Sequence, residues 1–166
     1  MNPGPIVCAT RGGEASRSTQ EHAIALAKER GAALVFLYVA DCEFARSLKA
    51  PLLDAVQDEL VRLGQSLLAV AQRRAARRGI KAQPVVLCGR VPKTIHDYLV
   101  QTHASTLVLG ASGPPTRHRV FTPEEVLHFA ESVAKGTGAE VHVVTPEGKV
   151  LTAKPATEGP ADGPQA

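Results

Sequence analysis

The sequence predicts a three-layer α/β fold, an open parallel sheet with helices on both of its faces. Short apolar runs of strand length alternate with segments whose apolar residues recur every three or four positions. One run, Ala33–Val39, is nearly continuous, as expected for a strand that is buried on both faces. Because the alternation repeats, we expect the order β-α-β-α-β-α-β-α-β, which requires a parallel sheet covered by helices.

The first strand is assigned to Ile6–Thr10, an apolar run bounded by prolines and glycines. Ser18-Thr19-Gln20-Glu21 then has the pattern of a capping box, which predicts that a helix begins there. That helix places Ala23, Ile24 and Ala27 inward and ends at Gly31. The run Ala33–Val39 follows as the second strand.

A long helix is predicted from Pro51, a residue that a first helical turn tolerates, to the residues before Gly79. Its apolar residues recur at spacings of three and four and predict one buried stripe. The stripe consists of Leu53, Val56, Leu60, Leu63, Leu67 and Val70. Four arginines close the helix, where they suit its negative end, and we favour a solvated helix end over a nucleic-acid patch.

The second half of the chain continues the alternation. Lys81–Cys88 is the third strand, and Pro84 favours an edge position for it. A short helix follows Gly89-Arg90-Val91-Pro92, and Thr106–Leu109 is the fourth strand. A second capping box, Thr122-Pro123-Glu124-Glu125, predicts the last helix, and Glu140–Val144 is the last strand.

We place one domain at residues 1–146 and a flexible tail, rich in Pro, Gly and Ala, at 147–166. A short hairpin through Thr145-Pro146-Glu147-Gly148 to Leu151 is an alternative for the start of that segment. The last strand, with Val141, Val143 and Val144, needs cover at its edge, for which a second copy of the chain is the simplest source.

Composition excludes several classes of function. The net charge of +3 is too balanced to indicate a nucleic-acid partner, and no apolar run is long enough to span a membrane. The three cysteines form no CxxC pair and the six histidines show no metal-binding spacing. We therefore expect no metal, no signal peptide at the start and a cytoplasmic location.

Glycines follow two of the predicted strands, Gly12-Gly13 after the first and Gly110 with Gly113 after the fourth. In open parallel sheets, ligands bind outside the carboxyl ends of the strands where the strand order reverses. Gly110 and Gly113 have two interpretations that stay open: close approach of backbone to a ligand, or a strand exit that needs positive φ. Ser112 does not have the spacing of a nucleophile elbow.

Three stretches carry a resemblance to a known family. Arg11–Ser16 stands where the family has an Asp-Gly-Ser-Glu-type loop, Gly89-Arg90-Val91-Pro92 contains its Gly-x-Pro turn, and Gly110 with Gly113 matches its Gly-x-x-Gly. Over residues 5–145 the chain resembles the universal stress protein family, whose fold is adenine nucleotide alpha-hydrolase-like. The resemblance implies a Rossmann-like, flavodoxin-like five-stranded parallel sheet of order 3-2-1-4-5 and a homodimer built through the last strand.

The nucleotide motif is degenerate. Arg11 replaces an aspartate that ATP-binding members place near adenosine, and Pro123-Glu124 stands where Gly-Ser or Gly-Thr is expected. Proline removes an amide and glutamate adds negative charge where phosphate would lie. Arg117, His118 and Arg119 are candidate replacement cations, but we favour an exposed basic loop as their interpretation.

We therefore expect a regulatory homodimer that binds ATP, AMP, a cyclic nucleotide or another anion weakly or atypically. The predicted ligand residues, in which Thr10 and Val39 offer backbone groups to a base, are Thr10, Arg11, Val39, Gly110, Ser112, Gly113, Arg117 and Thr122. The alternative is a stress-response interaction protein that binds no nucleotide and acts through its dimer surface and tail. ATP hydrolysis is the last of the three hypotheses. We do not expect the protein to be an enzyme, because no general base is evident near the strand ends.

Overall fold

The computed structural model describes residues 3–13, 16–111 and 123–156. The strands are β1 (Ile6–Ala9), β2 (Leu34–Ala40), β3 (Ala82–Cys88), β4 (Thr106–Gly110), β5 (Glu140–Val144) and β6 (Val150–Ala153). The helices are α1 (Arg17–Arg30), α2 (Ala50–Ala76), α3 (Val91–Thr102) and α4 (Pro123–Thr137), and a 3₁₀ turn covers Glu43–Ala45.

The strands form one open sheet in the order β3-β2-β1-β4-β5-β6. The first five are parallel and follow the predicted order 3-2-1-4-5, so the predicted fold class is confirmed. Pro84 lies in β3 at one edge of the sheet, as expected for a residue that cannot donate to a ladder on both sides.

The other edge differs from the prediction, because β5 is not an edge strand. The turn after β5 is closed by a hydrogen bond from the Thr145 N–H to the Lys149 carbonyl (2.8 Å), and β6 pairs antiparallel with β5. The predicted domain boundary after residue 146 lies inside this turn, and Val150–Ala153 belongs to the sheet. The chain itself thus satisfies the β5 edge that was expected to need a partner.

Each face of the sheet packs a pair of helices. Ile6, Cys8 and Phe36 point toward α1 and α2, whereas Val7, Leu37 and Leu107 point toward α3 and α4. This alternation follows from the two-residue period of a strand and explains why the central strands are apolar throughout.

The buried stripe of α2 agrees with the prediction at four of its six positions. Leu53, Val56, Leu60 and Leu67 are partly buried, whereas Leu63 and Val70 are 49% and 51% exposed. The most deeply buried positions are Gly64, Leu68, Ala71 and Ala75. At Gly64 an added Cβ would collide with the ring of Tyr38. Small residues thus let the helix approach β2 more closely than a leucine seam would.

The predicted capping box of α1 is also wrong. The N-cap is Ser16, which makes no side-chain cap, and the Ser18 hydroxyl instead donates to the carbonyl of Pro146 (3.3 Å). Glu21 pairs with Arg17 at 3.0 Å. The other predicted ends agree better: α1 ends before Gly31, α2 has Pro51 in its first turn and α4 begins at Pro123. Thr122 of the second capping box lies outside the described residues.

Candidate ligand site at the carboxyl ends of the strands

The strand order reverses between β1 and β4, and their carboxyl ends lie side by side. Ala9 is opposite Leu109 in the parallel register, so Thr10 follows β1 next to Gly110, the last residue of β4. Leu37 of β2 is opposite Ala9 on the other side, which brings Val39 to the same edge. The fold thus gathers Thr10, Arg11, Val39 and Gly110 at the reversal point of the sheet.

Thr10 is buried and its polar groups are largely occupied. Its N–H donates to the Leu37 carbonyl (2.9 Å), and its Oγ1 accepts hydrogen bonds from the Gly12 N–H (3.1 Å) and from Gln20 Nε2 (3.0 Å). The predicted backbone contact of Thr10 with a base is therefore limited to its carbonyl. Its side chain holds the loop that follows β1.

Gln20 of α1 and Arg74 of α2 form a hydrogen-bonded network with Thr10, at the start of the loop after β1. The Gln20 side chain is 2% exposed and joins Thr10 to the Arg74 guanidinium, which donates to Gln20 Oε1. The sequence interpretation missed this network because it placed Gln20 in a capping box. A signal was present: Gln20 lies three and four residues before Ala23 and Ile24, on the apolar face of α1.

Gly12 and Gly13 shape the loop after β1. Both have positive φ (77° and 78°), which strongly favours glycine. A Cβ at Gly12 would also lie 2.6 Å from Leu67 Cδ2, so the loop backbone runs directly against α2. Bare backbone amides are the groups that an anionic ligand uses when it approaches a loop of this kind.

Gly110 is a glycine for a different reason than the strand-exit interpretation supposed. Its φ is not in the positive region. A Cβ at this position would lie 2.8 Å from Thr19 Oγ1 of α1, a residue that is 3% exposed. Packing between β4 and α1 therefore requires the glycine, and the backbone of Gly110 itself is exposed at the strand end.

Arg11 is exposed, and its positive charge acts on Tyr38 of β2. Burial raises the pKa of Tyr38, and the nearby Arg11 guanidinium opposes part of that rise. Val39 is half-buried and packs with the apolar residues under α3 and α4. Arg11 thus supplies a solvent-accessible positive charge near Tyr38 on the α1–α2 side of the sheet, whereas Val39 lies on the α3–α4 side.

The remaining predicted ligand residues, Ser112, Gly113, Arg117 and Thr122, lie outside the described residues. The helix that follows them is described: α4 begins with Pro123 and carries Glu124 and Glu125 in its first turn. Both glutamates are exposed, so the negative charge inferred from the sequence is present at this helix start.

A second polar cluster, which the sequence interpretation missed, joins α1 to β5. His22 Nε2 lies 2.8 Å from His142 Nδ1, His142 Nε2 lies 2.8 Å from Glu140 Oε1, and Arg30 pairs with Glu140 at 3.3 Å. Burial, followed by the charges of His142 and Arg30, lowers the pKa of His22. Burial alone would raise the pKa of Glu140, but the hydrogen bond from His142 and the nearby cations lower it.

Within residues 3–13, 16–111 and 123–156, no group of three His, Cys, Asp or Glu side chains is arranged to hold a metal ion. None of the described helices has the length and apolarity needed to cross a membrane. A groove of about 340 Å³ between α4 and β6, lined by Leu127, Leu151 and their neighbours, contains none of the predicted ligand residues.

Comparison with known proteins adds to this geometry. A sequence model described as the universal stress protein family matches residues 4–123, which is most of the chain. No curated protein matches significantly. Among solved structures, the universal stress protein UspA from Lactobacillus plantarum is similar, with 21% identity, a TM-score of 0.65 and coverage of 87% of this chain and 98% of that one.

Two further similar structures hold nucleotides. The universal stress protein from Archaeoglobus fulgidus in complex with dAMP has 20% identity and a TM-score of 0.55, covering 87% of this chain and 98% of its own. A universal stress protein in complex with cAMP has 19% identity and a TM-score of 0.61, with the same coverage. At these identities the likeness establishes the fold.

Proposed function

Because the chain belongs to the universal stress protein family, we propose that it is a regulatory domain that binds an adenine nucleotide at the carboxyl ends of β1, β2 and β4. The observation that carries the proposal is the position of Thr10, Arg11 and Gly110 at the point where the strand order reverses. The dAMP and cAMP held by two similar structures make adenine nucleotides the first ligands to test.

The backbone around this point suits an anionic ligand. The Gly12-Gly13 loop has positive φ at both residues and Gly110 is exposed, so the loop and the strand end offer backbone without side chains. The first turn of α1 carries no acidic residue. Together with the exposed Arg11 guanidinium, these features favour a phosphate at the amino end of α1.

We propose that binding is weaker or differently selective than in members with the complete motif. Pro123 begins α4, and Glu124 and Glu125 follow in its first turn. Each exposed charge near a helix end is worth roughly 0.3–1 kcal/mol, so the two glutamates together disfavour a phosphate at the start of α4 by about 0.6–2 kcal/mol. A monophosphate or cyclic nucleotide, with less charge to place, should suffer less than ATP.

We propose binding without turnover. The described ligand residues Thr10, Arg11, Val39 and Gly110 include no carboxylate or imidazole that could act as a general base. Asp41, which follows β2, accepts a hydrogen bond from the Glu43 N–H (2.9 Å) and so serves the local turn.

Thermal unfolding with ATP, AMP and cAMP at millimolar concentration tests the proposal. A ligand at 100 times its Kd stabilises the folded state by about 2.7 kcal/mol, which corresponds to a Tm rise of roughly 5–11 °C. We expect AMP or cAMP to raise the Tm more than ATP does. An unchanged Tm with every nucleotide would contradict the proposal.

Arg11→Asp identifies the site. We expect it to weaken binding by about tenfold or more, since it replaces the cation by an anion. The control is Arg78→Asp, an equal charge change at an exposed residue after α2, before the amino end of β3. Equal loss in both variants would indicate a general charge effect, and tighter ATP binding by Arg11→Asp would show that Arg11 blocks the family site.

We also propose a homodimer through the last strand, which is now β6 and not β5. β6 is one of the two edge strands of the described sheet, and its Leu151 is 37% exposed beside the groove on α4. An exposed edge with an apolar residue is a ready template for pairing with a second copy around a two-fold axis.

A second candidate function, an interaction protein without nucleotide, is favoured by the outer face of α2. Leu52, Leu63 and Val70 are 54%, 49% and 51% exposed, and their spacings place them on one side of the helix. An apolar stripe of this kind is typical of a surface that another protein covers. Leu63→Lys should abolish such an interaction while leaving nucleotide-dependent stabilisation unchanged.

A further inference from the structure

Two cysteines lie at the ends of neighbouring strands. Cys88 is the last residue of β3 and is opposite Ala40, the last residue of β2, while Cys42 follows Ala40 by two positions. The Gly89 N–H donates to the Ala40 carbonyl (3.1 Å), which holds the two strand ends together. Adjacent strands are about 4.8 Å apart, so the two cysteine backbones are near neighbours.

Both thiols lie on the α2 side of the sheet. Along β3, Ala82 and Val86 pack on that side, and Cys88 continues the two-residue alternation. Cys42 lies close to the side chain of Gln57 in α2. Burial and then the neighbouring Cys88 thiol raise the pKa of Cys42, a proximity that agrees with the strand register.

We propose that Cys42 and Cys88 form a reversible disulfide that ties the 41–49 loop to the end of β3. If the chain continued straight beyond Ala40, the two Cα atoms would be about 8 Å apart, slightly more than a disulfide spans. Cys42 lies beyond the last ladder pair, Ala40 with Cys88, and directly precedes the 3₁₀ turn, so strand pairing does not fix its position and a shift of about 1–2 Å closes the gap. The disulfide does not depend on nucleotide binding.

The oxidant is a small-molecule disulfide, such as oxidised glutathione. The Cys88 thiolate, on the exposed residue, attacks one sulfur and releases one glutathione thiolate, which leaves a mixed disulfide on Cys88. The Cys42 thiolate then attacks the Cys88 sulfur and expels the second glutathione thiolate. The two protons lost by the protein thiols go to the two released thiolates and the two electrons reduce the glutathione disulfide, so the protein loses the equivalent of two hydrogen atoms.

Cys8 provides an internal control. It lies in β1 with 0% exposure, and burial raises the pKa of its thiol far above the ordinary value. A thiol in this setting reacts slowly with disulfides and alkylating reagents until the protein unfolds.

The experiment exposes the folded full chain to millimolar oxidised glutathione, followed by alkylation, intact mass and peptide mapping. We expect the wild type to lose two hydrogen atoms and to yield a Cys42–Cys88 linked peptide. The amount of this intramolecular disulfide should exceed that of the Cys88–glutathione mixed disulfide by about tenfold or more. Cys42→Ser should accumulate glutathione on Cys88, and Cys88→Ser should form no link. A wild type that stays as a Cys88 adduct, or that links only between chains, would overturn the proposal.

Discussion

Replacing Gly110 by alanine tests the packing that holds β4 against α1. The added Cβ would lie 2.8 Å from Thr19 Oγ1, whereas ordinary contact begins at 3.4 Å, so the two elements must separate by about 0.6 Å. Overpacking of this size costs about 1–3 kcal/mol, and the lower chain entropy of alanine offsets about 0.5–1 kcal/mol. We expect a net loss of about 0.5–2 kcal/mol and a Tm lower by roughly 1–8 °C.

The assay is a double-mutant cycle measured by urea unfolding. Thr19→Ala removes the atom that alanine would meet, so Gly110→Ala should cost little in that background and the coupling should be about 1–2 kcal/mol. Thr19→Val is the matched control, because it keeps a branched atom in the hydroxyl position and should give no relief. Additive effects in the Thr19→Ala background would refute the packing explanation of Gly110.

Three further predictions concern the core network, pH and assembly. Gln20→Leu should lower the free energy of unfolding by about 2–4 kcal/mol, because the Arg74 guanidinium and Thr10 both lose a buried partner; urea unfolding measures it. His22→Gln should lose less stability than the wild type when the pH falls from about 7.5 to about 5.5, and thermal unfolding at each pH measures the difference. Leu151→Lys should convert the proposed dimer to a monomer in light scattering.

The sign of the pH effect follows from the two pKa directions. The pKa of His22 is lowered from 6.5, so the folded state binds fewer protons than the unfolded one and loses stability as pH falls below 6.5. The pKa of Glu140 is lowered from 4.5, so a second loss follows below that pH and should persist in His22→Gln. If the stability of His22→Gln depended on pH as strongly as that of the wild type above pH 5.5, His22 would not be the group responsible for the loss.

Each of the other two predictions has its own control. Gln20→Glu retains an acceptor for Arg74 and lets the Thr10 hydroxyl donate instead of accept, so it should lose less than half as much stability as Gln20→Leu. Leu63→Lys changes the exposed face of α2 and should leave a β6-mediated dimer intact. If Leu63→Lys dissociates the dimer and Leu151→Lys does not, the interface lies on α2.

The fold was predictable because its main determinants are local. The alternation of apolar runs with helical periods predicted the five parallel strands, and their order followed from a family resemblance. β6 was left as an alternative because Val150–Ala153 is only four residues long and is stabilised by its partner β5, not by its own pattern. Two positions of the predicted α2 stripe, Leu63 and Val70, are exposed because small residues form the buried seam there, and periodicity gives most weight to large apolar residues.

The adjacency of Thr10 and Gly110 was predictable, but the side-chain contacts that surround them were not. Thr10 and Gly110 lie at adjacent strand ends, as parallel pairing requires. Gln20 with Arg74, and His22 with His142, join residues far apart in the chain, which no local spacing reveals. The reason for the glycine at position 110 also depends on a distant residue, Thr19, that only the packing of α1 on β4 brings near.

The most direct test of nucleotide binding at the strand ends is an NMR titration of the isotope-labelled chain with AMP. The amides of Gly12, Gly13 and Gly110 report on the proposed site, and those of Leu127 and Leu151 report on the α4–β6 groove. We predict saturable shifts of the three glycine amides with the groove unchanged. Shifts confined to the groove, or none at millimolar AMP, would contradict the account.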